Sequence, residues 1–384
     1  KQGLRIGIPR VLNMFENYTF WNTLFTECGF EVVISPESTF SLYQRGVSSV
    51  MSDNICFPAK VAHGHILALI DEKVDRIFYP IVPKECKETK ASSNSYNCPV
   101  VAGYPDVIRS AIDPEAKYGI PFDKPVVPFN DTEALRRACS DYLSRLDVRK
   151  GVIREAFQKA LKQHNHYKEE LRDRQYIRLQ RAIQSNELLF IVTGRPYHTD
   201  PLIHQKVGQI LSDLGATVLT EDVFYGKENE GFSELNIVSQ WSYPNRTVHT
   251  AMEVSRLPKN VQMIQLNSFG CGPDSFFMDE IGEILKQGGK NHTIIRIDEI
   301  SSPGSIRLRL RSLIESLKTS GTIETKSEGS VKYARTYQKE DRKKTILAPW
   351  FADFISPFIP VFGEMAGYKI VNLPPSTKGS AEMG

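Results

Sequence analysis

No run of roughly 18–20 apolar residues, the length a bilayer-spanning helix needs, occurs in the sequence. No charged-then-apolar leader with a small-residue cleavage site opens it either, so the expected compartment is the cytoplasm. Charge of one sign is not in excess: 48 basic against 45 acidic residues leave a formal net charge of +3, which gives no electrostatic footprint for nucleic acid. Cysteine is scarce, at six residues, and no Cys-x-x-Cys pair is present. In a reducing compartment these thiols suit metal binding or simple burial better than a disulfide framework. The four Asn-x-Thr triplets at Asn17, Asn130, Asn245 and Asn291 then read as accidents of composition. Lys1 in place of a starting Met is read as the sign of an excised fragment.

What is present is an alternation of strand-like and helix-like segments. "LRIGIPR" (4–10), "FEVVIS" (30–35), "DRIFYP" (75–80) and "CPVVAGY" (98–104) read as strands. "NYTFWNTLFTECGF" (17–30) and "FPAKVAHGHILALIDEK" (57–73) read as helices, the second with Pro58 in its first turn. Residues 131–187 are charged and helical, with Ala134, Leu135, Ala138, Cys139, Tyr142 and Leu146 on one face. A second alternating unit begins at "LLFIVTG" (188–194). It continues through a helix at 202–215, strands at 216–222, 260–270 and 293–299, and helices at 273–289 and 305–317. The pattern predicts an α/β fold of two Rossmann-like parallel-sheet domains, 1–130 and 188–318, joined by a helical connector at 131–187. Residues 319–344, polar and lysine-rich, read as a linker. Residues 345–384 restart the layout of the N-terminus: Pro349 mirrors Pro9, Gly367-Tyr368-Lys369-Ile370-Val371 mirrors Gly29-Phe30-Glu31-Val32-Val33, and Pro374, Ser376 and Thr377 mirror Pro36, Ser38 and Thr39. This predicts a truncated strand–helix–strand repeat.

The cysteines divide by their neighbours. Cys56-Phe57-Pro58, Cys98-Pro99 and Cys271-Gly272-Pro273 each place a proline within two residues. With 22 prolines in 384 residues, that should befall a given cysteine about one time in nine. Proline opens a helix without wasting an N–H, so each of these thiols is expected just ahead of a helix N-terminus. There the dipole and the free N–H groups favour thiolate, the metal-binding form. In "NSFGCGPDSFF" (267–277) Gly270 and Gly272 leave backbone bare enough to approach an inorganic cluster, whose sulfides accept N–H hydrogen bonds. Zinc is the alternative within metal chemistry, and three unrelated buried thiols the alternative outside it. Cys28 and Cys139 read as structural, and Cys86 is left open between ligand and idle thiol.

Other candidates lie nearby. In "TGRPYHTDP" (193–201), which follows a strand and opens a helix, Arg195 could grip an anion and His198 could move a proton; equally, Arg195 could pair with a carboxylate and His198 could cap structure. Glu221 and Asp222 end a strand and are acid–base candidates or solvated edge residues. Lys60, His63 and His65 follow Cys56, with His63 and His65 pointing apart and His63 the stronger pocket candidate. Gln240, Trp241 and Tyr243 line a cleft or fill core.

"IGIPRVLNMFENYTFWNTLF", "ICFPAKVAHGHI", "YNCPVV", "GRPYHTDP", "QWSY" and "LNSFGCGPD" together resemble one family over residues 4–318. It is the region found in fusion proteins described as activators of 2-hydroxyglutaryl-CoA dehydratase, or CoA-substrate-specific enzyme activases. That region is similar to the iron–sulfur subunits of 2-hydroxyacyl-CoA dehydratases, benzoyl-CoA reductases and double-cubane cluster proteins. The resemblance implies a [4Fe–4S] cluster, or a larger one, between two Rossmann-like domains. On that implication its ligands would be Cys56, Cys98 and Cys271; the residues themselves, not the resemblance, make Gly270, Gly272, Lys60 and His63 candidates to line the cofactor and His198, Arg195 and Glu221 candidates for catalysis. The resemblance also implies low-potential electron transfer to an acyl-CoA-like substrate, a separate ATP-dependent activase as partner, and a dimer. A non-catalytic electron relay or docking scaffold is the alternative, and a metal-free Rossmann-like binding module a third. The sequence departs from the family in two respects. It carries no P-loop or Gly-rich phosphate loop, and Ile81 stands where some relatives place a cysteine, with Cys86 off pattern.

Overall fold

The computed structural model describes residues 3–227, 231–232, 235, 237–300, 302–319, 338–375 and 377. The chain forms two compact units, Lys1–Ser330 and Val331–Gly384.

The first unit opens with β1 (Arg5–Ile8), α1 (Met14–Glu27), β2 (Glu31–Ile34), α2 (Phe40–Val47), α3 (Phe57–Asp71), β3 (Arg76–Phe78), α4 (Pro99–Ala111), α5 (Pro114–Tyr118) and β4 (Phe122–Asp123). The four strands form one parallel sheet in the order β2-β1-β3-β4. Two connector helices follow, α6 (Thr132–Arg145) and α7 (Lys150–Gln184). Then come β5 (Leu189–Thr193), α8 (Val207–Asp213), β6 (Thr217–Thr220), α9 (Ser242–Ser255), β7 (Val261–Ser268), α10 (Gly272–Gln287), β8 (Thr293–Ile297) and α11 (Pro303–Thr319). Their strands repeat the first topology, β6-β5-β7-β8, again all parallel. Two parallel-stranded α/β sheets of like order are the predicted Rossmann-like architecture.

Two segments depart from the sequence reading. Residues 98–104 are not a strand: Pro99 starts α4, which buries Val101, Tyr104 and Ile108 on one face. A short apolar run fits either element, and a proline at the first helical position decides it. The helix expected over 202–215 is shortened to α8, because Gln205 and Lys206 adopt left-handed φ of 49° and 61°.

The halves share their interior. Tyr43, Phe57 and Val61 of the first half pack in one apolar cluster with Phe190, Ile203, Ile264 and Leu266 of the second. Helix α7 feeds both remaining cores, with Ile153, Ala156, Phe157 and Ala160 in the first and Leu179 and Ala182 in the second. Asp147 and Asn186, at φ of 63° and 52°, bracket that helix. Helices α2 and α3 cross so closely that a Cβ on Gly64 would run into the Leu42 carbonyl, and one on Gly46 into the Gly64 backbone.

The second unit holds β9 (Thr345–Ala348), α12 (Ile359–Met365) and β10 (Lys369–Asn372), with the two strands parallel and in register Thr345–Lys369. These three elements form a strand–helix–strand unit. The expected linker falls largely at 320–337, outside the described residues, as does Ser376 of the repeat.

Candidate functional site

Strands β5 and β7 are neighbours with α/β connections running to opposite sides, so their carboxyl ends flank a crevice of the kind in which open α/β sheets bind ligands. Residues 194–199 leave β5 into this crevice and 269–271 leave β7 into it. Gly194 is required there: a Cβ would collide with the His198 ring and meet the Leu266 carbonyl. Gly270 takes φ of +73°, a conformation costly for any residue with a side chain, and faces the Asn54 carbonyl of the other half.

Cys56, Cys98 and Cys271 each occupy the residue that begins a helix, ahead of α3, α4 and α10, and each has proline in the first turn that follows. The positions expected from the prolines are those observed. Cys56 also lies within electrostatic reach of both Cys98 and Cys271. Burial pushes the Cys56 thiol up to about 12; the Ala59 backbone N–H opposes this, while Cys98 and Cys271 add to it. The Tyr197 phenol, raised first by burial, feels Cys56, Cys98 and Cys271 together. Cys271 is likewise raised by burial and drawn back by Arg195 and the Asp274 N–H. Cys139 lies in the first core, Cys28 packs at its margin, and Cys86 is exposed beside Glu85, Glu88 and Lys168 rather than beside the other thiols.

Among the described residues, no three His, Cys, Asp or Glu side chains converge tightly enough to hold a single metal ion. That arrangement does not meet the tetrahedral demand of zinc. A cubane distributes its thiolates over separate irons, so its ligands stand further apart. Cys56, Cys98 and Cys271 are the thiols that could hold such a cluster, and Cys271 also accepts a hydrogen bond from the Arg195 guanidinium.

Arg195 is buried and paired with Asp274, and its Nη2 donates to Cys271 Sγ at 3.6 Å. Burial works against its charge, but Asp274 and Cys271 more than offset this. Asp274 also accepts from Asn267 Nδ2 at 2.8 Å and sits in the first turn of α10, where the helix dipole favours an anion. His198 accepts from the Arg195 backbone N–H at Nδ1, 3.1 Å, and contacts Ser268 Oγ through Nε2 at 3.2 Å. Burial, then Arg195, holds its pKa well below the ordinary histidine value, so it is neutral.

Lys60 reaches across to Glu299 in the second half, 2.8 Å from Nζ to Oε1. His63 bonds Ser49 Oγ at 2.7 Å and the Tyr104 hydroxyl at 3.0 Å, while His65 bonds Ser35 and Ser38, so the two rings do point apart. Gln240 and Trp241 are stitched to the 84–97 loop by the Tyr96 N–H to Gln240 carbonyl bond and by the Tyr96–Trp241 pairing. Tyr243 donates to Glu85 at 3.1 Å.

Glu221 accepts from Thr193 Oγ1 and from the Gly194 N–H. Burial raises its pKa to about 7, against the opposing pull of Arg246. Arg246 itself is the centre of a buried ionic cluster that sequence reading missed. It contacts Glu16 and Glu88, which also pair with Lys168. Burial would raise the Glu16 carboxyl, yet Arg246 and Lys168 hold it well below the usual range. The members come from α1, the 84–97 loop, α7 and α9. No local spacing announces them; Tyr197 and Asp274 were equally silent, though an acid three residues after a helix-opening cysteine is a legible dipole signal.

Among curated proteins no sequence match is found. Solved structures give only distant likenesses. The SBP FpvC of P. aeruginosa, in complex with Ni2+, is 14% identical, with 84% of this chain and 99% of that chain covered, at a TM-score of 0.26. A putative sugar binding protein of Salmonella typhimurium LT2 is 11% identical, with coverage of 81% and 88%, at 0.23. The C-terminal domain of glucosamine-fructose-6-phosphate aminotransferase from Francisella tularensis is 10% identical, with coverage of 81% and 84%, at 0.22. At such scores these likenesses carry no argument. The family model "CoA enzyme activase uncharacterised domain (DUF2229)" matches residues 5–224, more than half of the sequence and the span that carries Cys56, Cys98 and the β5 crevice loop, and the chain belongs to that family.

Proposed function

We propose that the first unit is an iron–sulfur module of the 2-hydroxyacyl-CoA dehydratase and activase type, passing low-potential electrons toward an acyl-CoA-like substrate. The observation that carries this reading is that Cys56, Cys98 and Cys271, each at a helix N-terminus, all lie within electrostatic reach of one side chain, Tyr197. The family's CoA connection supports the substrate class. The partner this reading implies, from the family resemblance, is an ATP-dependent activase. The expected compartment is a reducing one, where free thiols persist.

A bound cluster supplies the low-potential electron. The chain's own residues do the rest. Burial raises the Cys56 and Cys271 thiols, and the backbone N–H groups at the starts of α3 and α10 work against that rise. Arg195, fixed by Asp274, donates to Cys271 and stabilises its anionic form. Cys56 and Cys98 pack at the edge of the first core, which shields one side of the site. The scaffold reading draws on a different fact: Arg195, Lys60, His198 and Glu221 are all engaged inside the protein.

Iron and acid-labile sulfide on anaerobically purified protein test the proposal, with Cys271→Ala alongside. Near-equal iron and sulfide, lost in the variant, is the expected result. No iron after anaerobic reconstitution would overturn the cluster and leave the scaffold reading.

A further inference from the structure

A cavity of about 240 Å³ opens at the carboxyl ends of β1 and β2, against residues Thr199 and Pro201 of the second half. Its walls are Pro9, Met14, Phe15, Ile34 and Pro201, which offer a hydrocarbon surface. The polar groups on it are Arg10, Tyr18, Glu37 and Thr199. Arg10 is only loosely engaged. Its partner Glu37 stands 3.4 Å away and is 74% exposed. Such a surface pair contributes little and yields readily to a better-placed anion.

The walls are built rather than accidental. The Arg10 backbone N–H donates to Ser35 Oγ at 2.8 Å. Ser35 Oγ bonds His65 Nδ1 at 2.8 Å, His65 Nε2 bonds Ser38 Oγ at 2.9 Å, and the Ser38 hydroxyl donates to Asp200. One assignment satisfies every group. Ser38 spends its proton on Asp200, so it accepts from His65 Nε2–H. His65 Nδ1 then accepts from the Ser35 hydroxyl, which accepts from Arg10. Burial holds the His65 pKa down to about 3, in keeping with a neutral ring. Asp200 further accepts from the Leu202 and Ile203 N–H groups at 2.9 and 3.2 Å. This single chain of buried bonds ties together the three segments that wall the cavity: 9–10, 34–38 and 199–201.

We infer that this cavity binds a small organic carboxylate with an apolar body, the carboxylate on the Arg10 guanidinium and the hydrocarbon part against Pro9, Phe15, Ile34 and Pro201. An apolar pocket with one convergent cation selects for that combination: the guanidinium fork matches a carboxylate, and the walls reject a fully hydrated ion. The site is independent of the iron–sulfur chemistry proposed above.

Titration calorimetry on the full chain tests it, with hexanoate and benzoate as probes and acetate and inorganic phosphate as controls. One-to-one binding of hexanoate or benzoate is expected, with both controls about tenfold weaker or more. Arg10→Met should weaken binding by about tenfold or more, as loss of a charged hydrogen bond does. Thr199→Trp, at an exposed position on the rim, should abolish it with an unchanged melting profile, so the test survives even where Arg10→Met fails to fold. Cys271→Ala should bind as the wild type does, which separates this site from the cluster. No binding of either probe at millimolar concentration, phosphate binding as well as hexanoate, or undiminished binding in Thr199→Trp would each overturn the assignment.

Discussion

Lys60, on the helix that follows Cys56, and Glu299, just beyond the last strand of the second sheet, form a 2.8 Å ion pair between residues 239 positions apart. The lysine is nearly buried and the glutamate about a third exposed. Burial disfavours the Lys60 charge, but Glu299 more than offsets it and raises its pKa. Lys60→Met should therefore cost about 1.5–3 kcal/mol, the range for hydrogen bonds to charged groups. Urea denaturation would measure this. Glu299→Gln added to Lys60→Met should cost less than the sum of the two single changes. Strict additivity would show that the pair contributes nothing.

The crossing of α2 and α3 sets how Cys56 and His63 are presented. Gly64→Ala places a methyl group against the Leu42 carbonyl, where only a backbone shift can make room. Overpacking of this kind costs about 1–3 kcal/mol or more. A thermal melt indistinguishable from wild type would contradict the close crossing.

Arg246 neutralises Glu16 and Glu88 in surroundings from which water is largely absent. Arg246→Met removes the hub and leaves buried carboxylates with Lys168 alone. The expected loss is about 3–5 kcal/mol, the cost of breaking a buried pair on one side. Equilibrium unfolding in guanidinium chloride is the measurement, and a loss below about 1 kcal/mol would mean that the cluster is solvated.

Glu221 carries a pH signature. Its folded pKa, about 7, lies above the ordinary 4.5, because burial disfavours the carboxylate. In the interval between those values the folded state holds a proton that the unfolded chain has released. The stability this contributes is fully present below about 4.5 and is lost as pH rises through about 7. Glu221→Gln should remove that slope, so the variant should gain on wild type in melting temperature between pH 5 and pH 8. A constant difference across that range would refute the raised pKa.

Much of the architecture was legible because it rests on short-range signals. The apolar runs of β5 and β7 announce buried strands, and Pro58, Pro99 and Pro273 announce helix starts behind three cysteines. The same proline signal was underused at Cys98, where an apolar run was read as a strand. Helix α9 escaped notice because Ser242, Asn245, Arg246, Thr247 and His249 make it look polar, although Asn245, Thr247 and His249 are buried. The ionic cluster could not be read at all. Glu16 and Arg246 lie 230 positions apart, and only the folded chain sets their distance.

Helix α7, 35 residues and about 50 Å long, gives one end to each core and Lys168 to the charges between them. It therefore behaves as a strut with a joint at either end, Asp147 and Asn186, each already in a left-handed turn. The strut itself has no proline or glycine break beyond Gly151 in its first turn. The Arg246 cluster spans the gap beside that strut. Separating the halves would break buried ion pairs as well as the shared apolar cluster.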